Sequence, residues 1–173
     1  MRIGLTGTMS VGKTTLVKAL SKVEQFKGYT FTTERSKYLN SLGIPLNHET
    51  TIEGQTIFLA ERVTELMQDR LITDRTIIDV MAFTHSARMV SYMDGDAFEE
   101  YAKRFLSQYQ YIFYISPEGM DIEDNGIRDT DEHYRNEIDQ GIKKLLSKYR
   151  PYHQTLRGTT EERIEQIMKT VQF

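Results

Sequence analysis

The chain has 173 residues, with 22 basic and 25 acidic side chains, a net charge of −3 and no cysteine. That length suits one domain, and 39% hydrophobic against 27% charged residues predicts a water-soluble fold with a real core. Disulfides, a Cys-ligated zinc site and a thiol nucleophile are excluded, a broad polyanion-binding surface is disfavoured, and no apolar run approaches the roughly 18 residues of a membrane span. A chain without cysteine fits a cytoplasmic location, and early entry into an apolar strand predicts no cleaved targeting segment.

The first predicted strand, Arg2–Thr6, runs into Gly7-Thr8-Met9-Ser10-Val11-Gly12-Lys13-Thr14. This is G-x-x-x-x-G-K-[ST], and a helical run through Lys22 follows it. Strand, loop and helix in that order are the context the phosphate-binding loop requires. Its backbone N–H groups and the helix N-terminus suit a polyphosphate. Lys13 is placed to reach the β- and γ-phosphates, and Thr14 to put its hydroxyl on Mg²⁺. Residues Gly7 to Thr15 are therefore assigned to nucleotide binding.

A second strand is predicted at Tyr29–Thr33, then a short helix over Glu34–Leu42, stopped by Gly43 and Pro45. Thr51–Gln68 reads as a long helix with Ile52, Ile57, Phe58, Leu59, Val63, Leu66 and Met67 on a broad apolar face. Leu71–Thr73 is a short strand, and Thr76–Val90 a helix. Asp94-Gly95 reads as a turn, with Asp96 capping the next helix, to about Gln108, and Glu99 completing a capping box. Tyr111–Ser116 has the continuous apolar character of a buried parallel strand. A helix over Thr130–Lys148, a strand at His153–Arg157 and a helix over Thr160–Val171, capped by Thr160, complete the chain. Five strands with intervening helices predict a three-layer α/β/α sandwich on a five-stranded, mostly parallel sheet, in one domain over 1–173.

Ligands of such sheets bind at the carboxyl ends of the strands. Glu34 follows the second strand and Asp74-Arg75 follow the third. Transfer of a phosphoryl group needs one carboxylate at the acceptor hydroxyl and another near Mg²⁺. Glu34 and Asp74 are the natural pair, and either is also explained as an acid at a helix N-terminus. Arg75 suits a phosphate or a carboxylate. Asp79 lies off the strand end and reads as structural. Arg128 and Arg135, seven apart in a polar segment at about 120–137, share a helical face, fitting either a lid over the phosphates or a solvated surface. His133 reads as a surface residue. Gly158 and Thr159, after the fifth strand, fit a loop around the base or a tight turn.

Taken together, these segments resemble phosphate-loop kinases of the NadR-like kind, a group of ribosylnicotinamide kinase domains and phage relatives. Ser10 within the loop, Thr33–Tyr38, Leu71–Asp79 with its D-R-[ST]-x-x-D pattern, Asn125–Arg128 with Arg135, and Leu156–Ile164 carry the likeness in order. Leu71–Asp79 is similar too to a segment of deoxynucleoside and thymidylate kinases. The resemblance implies the strand order 2-3-1-4-5, ATP with Mg²⁺, Glu34 near the acceptor hydroxyl, Asp74 near the metal, and Arg128 and Arg135 as lid residues. It also raises Gln55 as a reader of a base, against a solvent-facing alternative. Lys37 stands where the group often has arginine, and the thymidylate kinase tyrosine is missing after the third strand. Both departures bear on the acceptor.

The resulting expectation is a phosphotransferase with a small, nucleoside-like acceptor and no membrane partner. Two alternatives stand beside it. One is a nucleotide-binding switch, although neither N-K-x-D nor D-x-x-G occurs where a GTPase needs it. The other is a kinase acting on a modified base in DNA, with DNA as partner, against which the net acidity counts. The length is too short for an AAA+ motor with its additional domain.

Overall fold

The computed structural model describes residues 1–33, 35–120 and 131–172. In chain order it runs β1 (Arg2–Thr6), α1 (Lys13–Leu20), β2 (Thr30–Thr32), α2 (Ser36–Ser41), α3 (Ile52–Glu65), β3 (Leu71–Asp74), α4 (Ile77–His85), α5 (Tyr92–Ala102), β4 (Tyr111–Ile115), α6 (Glu132–Tyr149), β5 (His153–Leu156) and α7 (Thr160–Thr170). The five strands form one parallel sheet in the order β2-β3-β1-β4-β5. The expected architecture and strand order are both found.

Alternation along the strands divides the core. Ile3, Leu5, Ile72, Phe113 and Ile115 pack with Leu16, Val17, Leu20 and Ile167 of α1 and α7. Leu71, Ile112 and Tyr114 pack on the other face with side chains of α3 to α6. Helices therefore cover both faces, which a parallel sheet requires. At about 25 cal/mol per Å², each fully buried aliphatic side chain contributes roughly 1.5–3 kcal/mol.

Two helix starts differ from expectation. Asp94 and Gly95 lie inside α5, which Ser91 caps by accepting the Asp94 N–H at 3.1 Å. Gly95 is small for contact rather than for a turn, since a Cβ there would sit 3.4 Å from the His85 ring. Glu99 is accordingly no capping residue. It is buried and accepts hydrogen bonds from Lys148 and Tyr149 of α6, beside the His85 ring of α4. In α7 the cap is Thr159, not Thr160, with Glu162 closing a reciprocal box at 2.7 and 3.3 Å.

Helix α3 turns most of its expected apolar face inward, with Leu59 and Leu66 in the core and Ile52, Phe58 and Val63 packed against it, but two of the seven residues depart. Met67, beyond its end, is 63% exposed and Ile57 is exposed, whereas Gln55 and Arg62 are buried with Leu59 and Leu66. Polar residues on that inward stripe border the carboxyl ends of the strands.

Candidate active site

The phosphate loop leaves β1 at Thr6 and enters α1 at Lys13. Gly12 has a φ of +79°, a left-handed conformation that glycine adopts without the penalty a Cβ brings. At Gly7 a Cβ would lie 2.8 Å from the Ile115 carbonyl, so that approach also needs glycine. Lys13 is buried, and its Nζ donates to the Gly7 and Thr8 carbonyls, both at 2.7 Å. Residues Met9 to Thr15 line a cavity of about 300 Å³ that Asp74, Arg75, Gly158 and Thr159 also border. Gly7 and Thr8 are not in its lining.

The Thr14 hydroxyl donates to Asp74 Oδ2, while Asp74 Oδ1 is buried with no hydrogen-bond partner among the described residues. A buried carboxylate oxygen with free lone pairs, beside a hydroxyl, fits Mg²⁺. That ion takes one or two protein oxygens and fills its shell with water and phosphate. The pair is supported from behind. Arg62 donates to the Asp74 carbonyl at 2.8 Å and pairs with Glu65 at 2.7 Å, and Glu65 accepts the Thr73 hydroxyl at 2.8 Å. Burial raises the Glu65 carboxyl above its ordinary range, against the opposing pull of Arg62 and Thr73.

Arg75 has a φ of +78°, in the left-handed region, so its backbone is strained. Its guanidinium lies 4.7 Å from the Phe83 ring centroid and 3.8 Å from Asp79 Oδ1. Asp79 is fully buried. Its Oδ2 accepts the Thr76 N–H and hydroxyl at 2.7 and 3.0 Å, closing the α4 capping box, and its Oδ1 accepts the Gly7 N–H at 3.2 Å.

Beyond Arg75 lies a small cavity of about 60 Å³, bordered by Met9, Gln55, Phe58, Arg75, Asp79 and Phe83. Gln55 is only 4% exposed and donates to the Thr50 hydroxyl at 2.9 Å, which removes the solvent-facing alternative. The inward turn of α3, set by Leu59 and Leu66, is the reason.

Arg135 of α6 is 8% exposed; its Nη1 donates to the Met120 carbonyl at 2.6 Å, and its Nε and Nη2 have no partner among the described residues. Its own carbonyl accepts the Thr8 hydroxyl at 3.0 Å. Arg163 of α7, absent from the sequence-based assignment, is 4% exposed and borders the loop cavity. It donates to the Val11 carbonyl at 2.9 Å and lies 3.3 Å from the Met120 sulfur. Burial pulls its pKa below the ordinary arginine range. Its signal was available: Arg163, Ile167 and Val171 recur every four residues, so an arginine occupies the apolar face of α7. The Arg157 side chain pairs with Glu118 at the protein surface, and His133 is exposed. Glu34 and Arg128 lie outside the described residues.

An open groove of about 790 Å³ lies between α6 and β5. Its wall is self-paired, with Asp139 accepting the Tyr114 hydroxyl at 2.6 Å and Lys143 at 2.7 Å. Among the described residues no helix is long and apolar enough to cross a membrane.

A family model described as an AAA domain matches residues 2–163. No curated protein matches the sequence. Among solved structures, the chain is similar to a deoxyadenosine kinase from M. mycoides with dCMP and dCDP bound (17% identity, covering 98% of this chain and 97% of that one, TM-score 0.59). It is similar to a thymidylate kinase from Candida albicans (16% identity, 96% and 88%, TM-score 0.67). It is also similar to a NadR protein in complex with NR (16% identity, 90% and 45%, TM-score 0.68), of which it spans about half the length. At such identities the likeness is one of fold.

Proposed function

The chain belongs to the AAA domain family, and we propose that it is an ATP-dependent phosphotransferase acting on a nucleoside-, nucleotide- or ribosylnicotinamide-like acceptor. The observation that carries this reading is a pair of adjoining cavities. Met9 and Arg75 line both the loop cavity and the small cavity beyond it. A switch needs one compartment, whereas a transferase needs a donor and an acceptor side by side. Nucleotide ligands in a deoxyadenosine kinase of like fold, and NR in the NadR protein, support the acceptor class. This reading sets the chain beside the NadR-like kinases and their phage relatives.

On the donor side, loop N–H groups and Lys13 hold the polyphosphate of ATP. Thr14 and Asp74 would hold Mg²⁺, which when bound neutralises charge on the phosphates. On the acceptor side, Phe58 and Phe83 offer flat apolar surfaces, and the Gln55 amide offers a polar edge. The cavity must widen to admit a base. Glu34 orients the acceptor hydroxyl and takes its proton as the acceptor oxygen bonds to the γ-phosphorus. The bond from that phosphorus to the ADP oxygen breaks at the same time. Arg75 and Arg135 offer charge-assisted hydrogen bonds to the phosphates, and Arg128 joins them in excluding water. Gly158 and Thr159 border the nucleotide.

The test is a screen with γ-labelled ATP and Mg²⁺ against nucleosides, deoxynucleotides, nicotinamide riboside and DNA carrying modified bases. Label in a nucleoside-like small molecule is the expected result. Label only in DNA would replace the acceptor, and free phosphate alone or no turnover would overturn the reading.

A further inference from the structure

Three arginines are buried around the strand ends, and they are balanced differently. Arg62 is neutralised by Glu65 at 2.7 Å, with Glu61 at 3.9 Å. Among the described residues, Arg163 meets a carbonyl oxygen and a thioether sulfur, and its Nε finds no partner. Among the same residues, Arg135 meets one carbonyl, and its Nε and Nη2 find no partner. No carboxylate among the described residues pairs with either of these two. A buried guanidinium without a counterion is costly, and an arrangement that keeps one implies an anion supplied from elsewhere.

Arg163 is the more informative case because of what it holds. The peptide between Val11 and Gly12 is planar and trans, so its C=O and N–H point in opposite directions. By donating to the Val11 carbonyl at 2.9 Å, the α7 guanidinium fixes that peptide and turns the Gly12 N–H away from α7. A Cβ on Gly12 would stand 3.2 Å from Arg163 Nη1, so the contact also relies on glycine at the head of α1. The side chain borders the same cavity as Lys13 and Thr14.

Resting on the nucleotide site of the proposed function, we infer that Arg163 is a positioning residue of the donor site. It sets the Val11–Gly12 peptide for phosphate binding, and the bound polyphosphate serves as a counterion to its guanidinium. The chemistry recognised is an inorganic or nucleoside polyphosphate.

The experiment compares wild type, Arg163→Met and Arg163→Lys by calorimetric titration with MgATP and with inorganic tripolyphosphate, and by thermal melting with and without them. Arg163→Met should melt at or above the wild-type temperature when no ligand is added, because an unbalanced buried charge is removed. Its Kd for both polyphosphates should rise about tenfold to a hundredfold, the size of a charge-assisted contact. Arg163→Lys, which keeps the charge but not the planar fork, should lose about three- to tenfold. A purely structural arginine would give the reverse, a lower melting temperature with unchanged Kd, and that result overturns the inference. Should Arg163→Met not fold, an unchanged Kd in Arg163→Lys overturns it alone. A wild type that binds ATP without transferring phosphate defeats the phosphotransferase reading and leaves Arg163 standing. A wild type that binds neither polyphosphate defeats both.

Discussion

The buried carboxylate of Asp79 accepts the main-chain N–H of Gly7 at 3.2 Å, so the first residue of the phosphate loop is fastened to the N-terminus of α4. The same group closes a capping box and faces Arg75 at 3.8 Å. Asp79→Asn keeps the shape but sets an NH₂ group against N–H donors. It should cost about 1–3 kcal/mol, the range for a buried group left unsatisfied. The KM for MgATP should rise as the loop loosens. Urea denaturation and an ATP titration measure the two effects, and wild-type values in both would show that Gly7 needs no anchor.

Lys13 supplies the one side-chain charge within the loop motif. Lys13→Ala should lower transfer by about a hundredfold to a thousandfold, as removal of one preorganised donor does elsewhere. Its circular dichroism spectrum should stay that of the wild type. Normal turnover by a folded Lys13→Ala protein would sink the phosphotransferase assignment.

Under the proposed function Gln55 would separate acceptor recognition from nucleotide binding, because of the two cavities it borders only the smaller. In Gln55→Leu the amide is lost at nearly constant volume. The acceptor KM should rise about tenfold or more, since a site built to hydrogen-bond loses most when that partner is missing. The KM for MgATP should hold. Equal shifts in both constants would make Gln55 a structural tie to Thr50 and nothing more.

Glu99 gives the fold its acid limb. Burial alone would raise its pKa, but hydrogen bonds from Lys148, Tyr149 and His85 win, and hold it at about 2 against an ordinary 4.5. A carboxyl with its folded pKa depressed stabilises the protein above the unfolded pKa, and that stability is lost as pH falls from about 4.5 towards 2. The full effect is at most about 3 kcal/mol. Glu99→Gln should therefore be less stable at pH 7 and lose less between pH 5 and pH 2. Denaturation midpoints across that range check it, and parallel curves would rule the Glu99 cluster out as the cause.

Periodicity and punctuation carried the fold well. Short apolar runs became the strands β1, β3 and β4, and the motif at Gly7–Thr14 sits between a strand and a helix as its chemistry demands. Failures came where one residue type serves two purposes. Gly95 reads as a turn but makes room for His85, and Glu99 reads as a cap but is a buried hub. Gln55 and Arg163 were hard to place for a shared reason. Each is a polar residue on an inward face, and a sequence shows the period of a helix more readily than its rotation. The contacts joining Asp79 to Gly7 and Arg163 to Val11 span 72 and 152 residues, beyond the reach of any local pattern.

Those spans bear on how the protein is made. β1 is made before the strands it pairs with, β3 and β4, and its loop takes the hydrogen bond from α7 only once residue 163 exists. Synthesis therefore delivers the beginning of the site long before the parts that hold it in shape. A nascent chain halted before α7 would carry the complete nucleotide motif and still lack this clamp, so nucleotide capture should follow the synthesis of α7 rather than that of the motif.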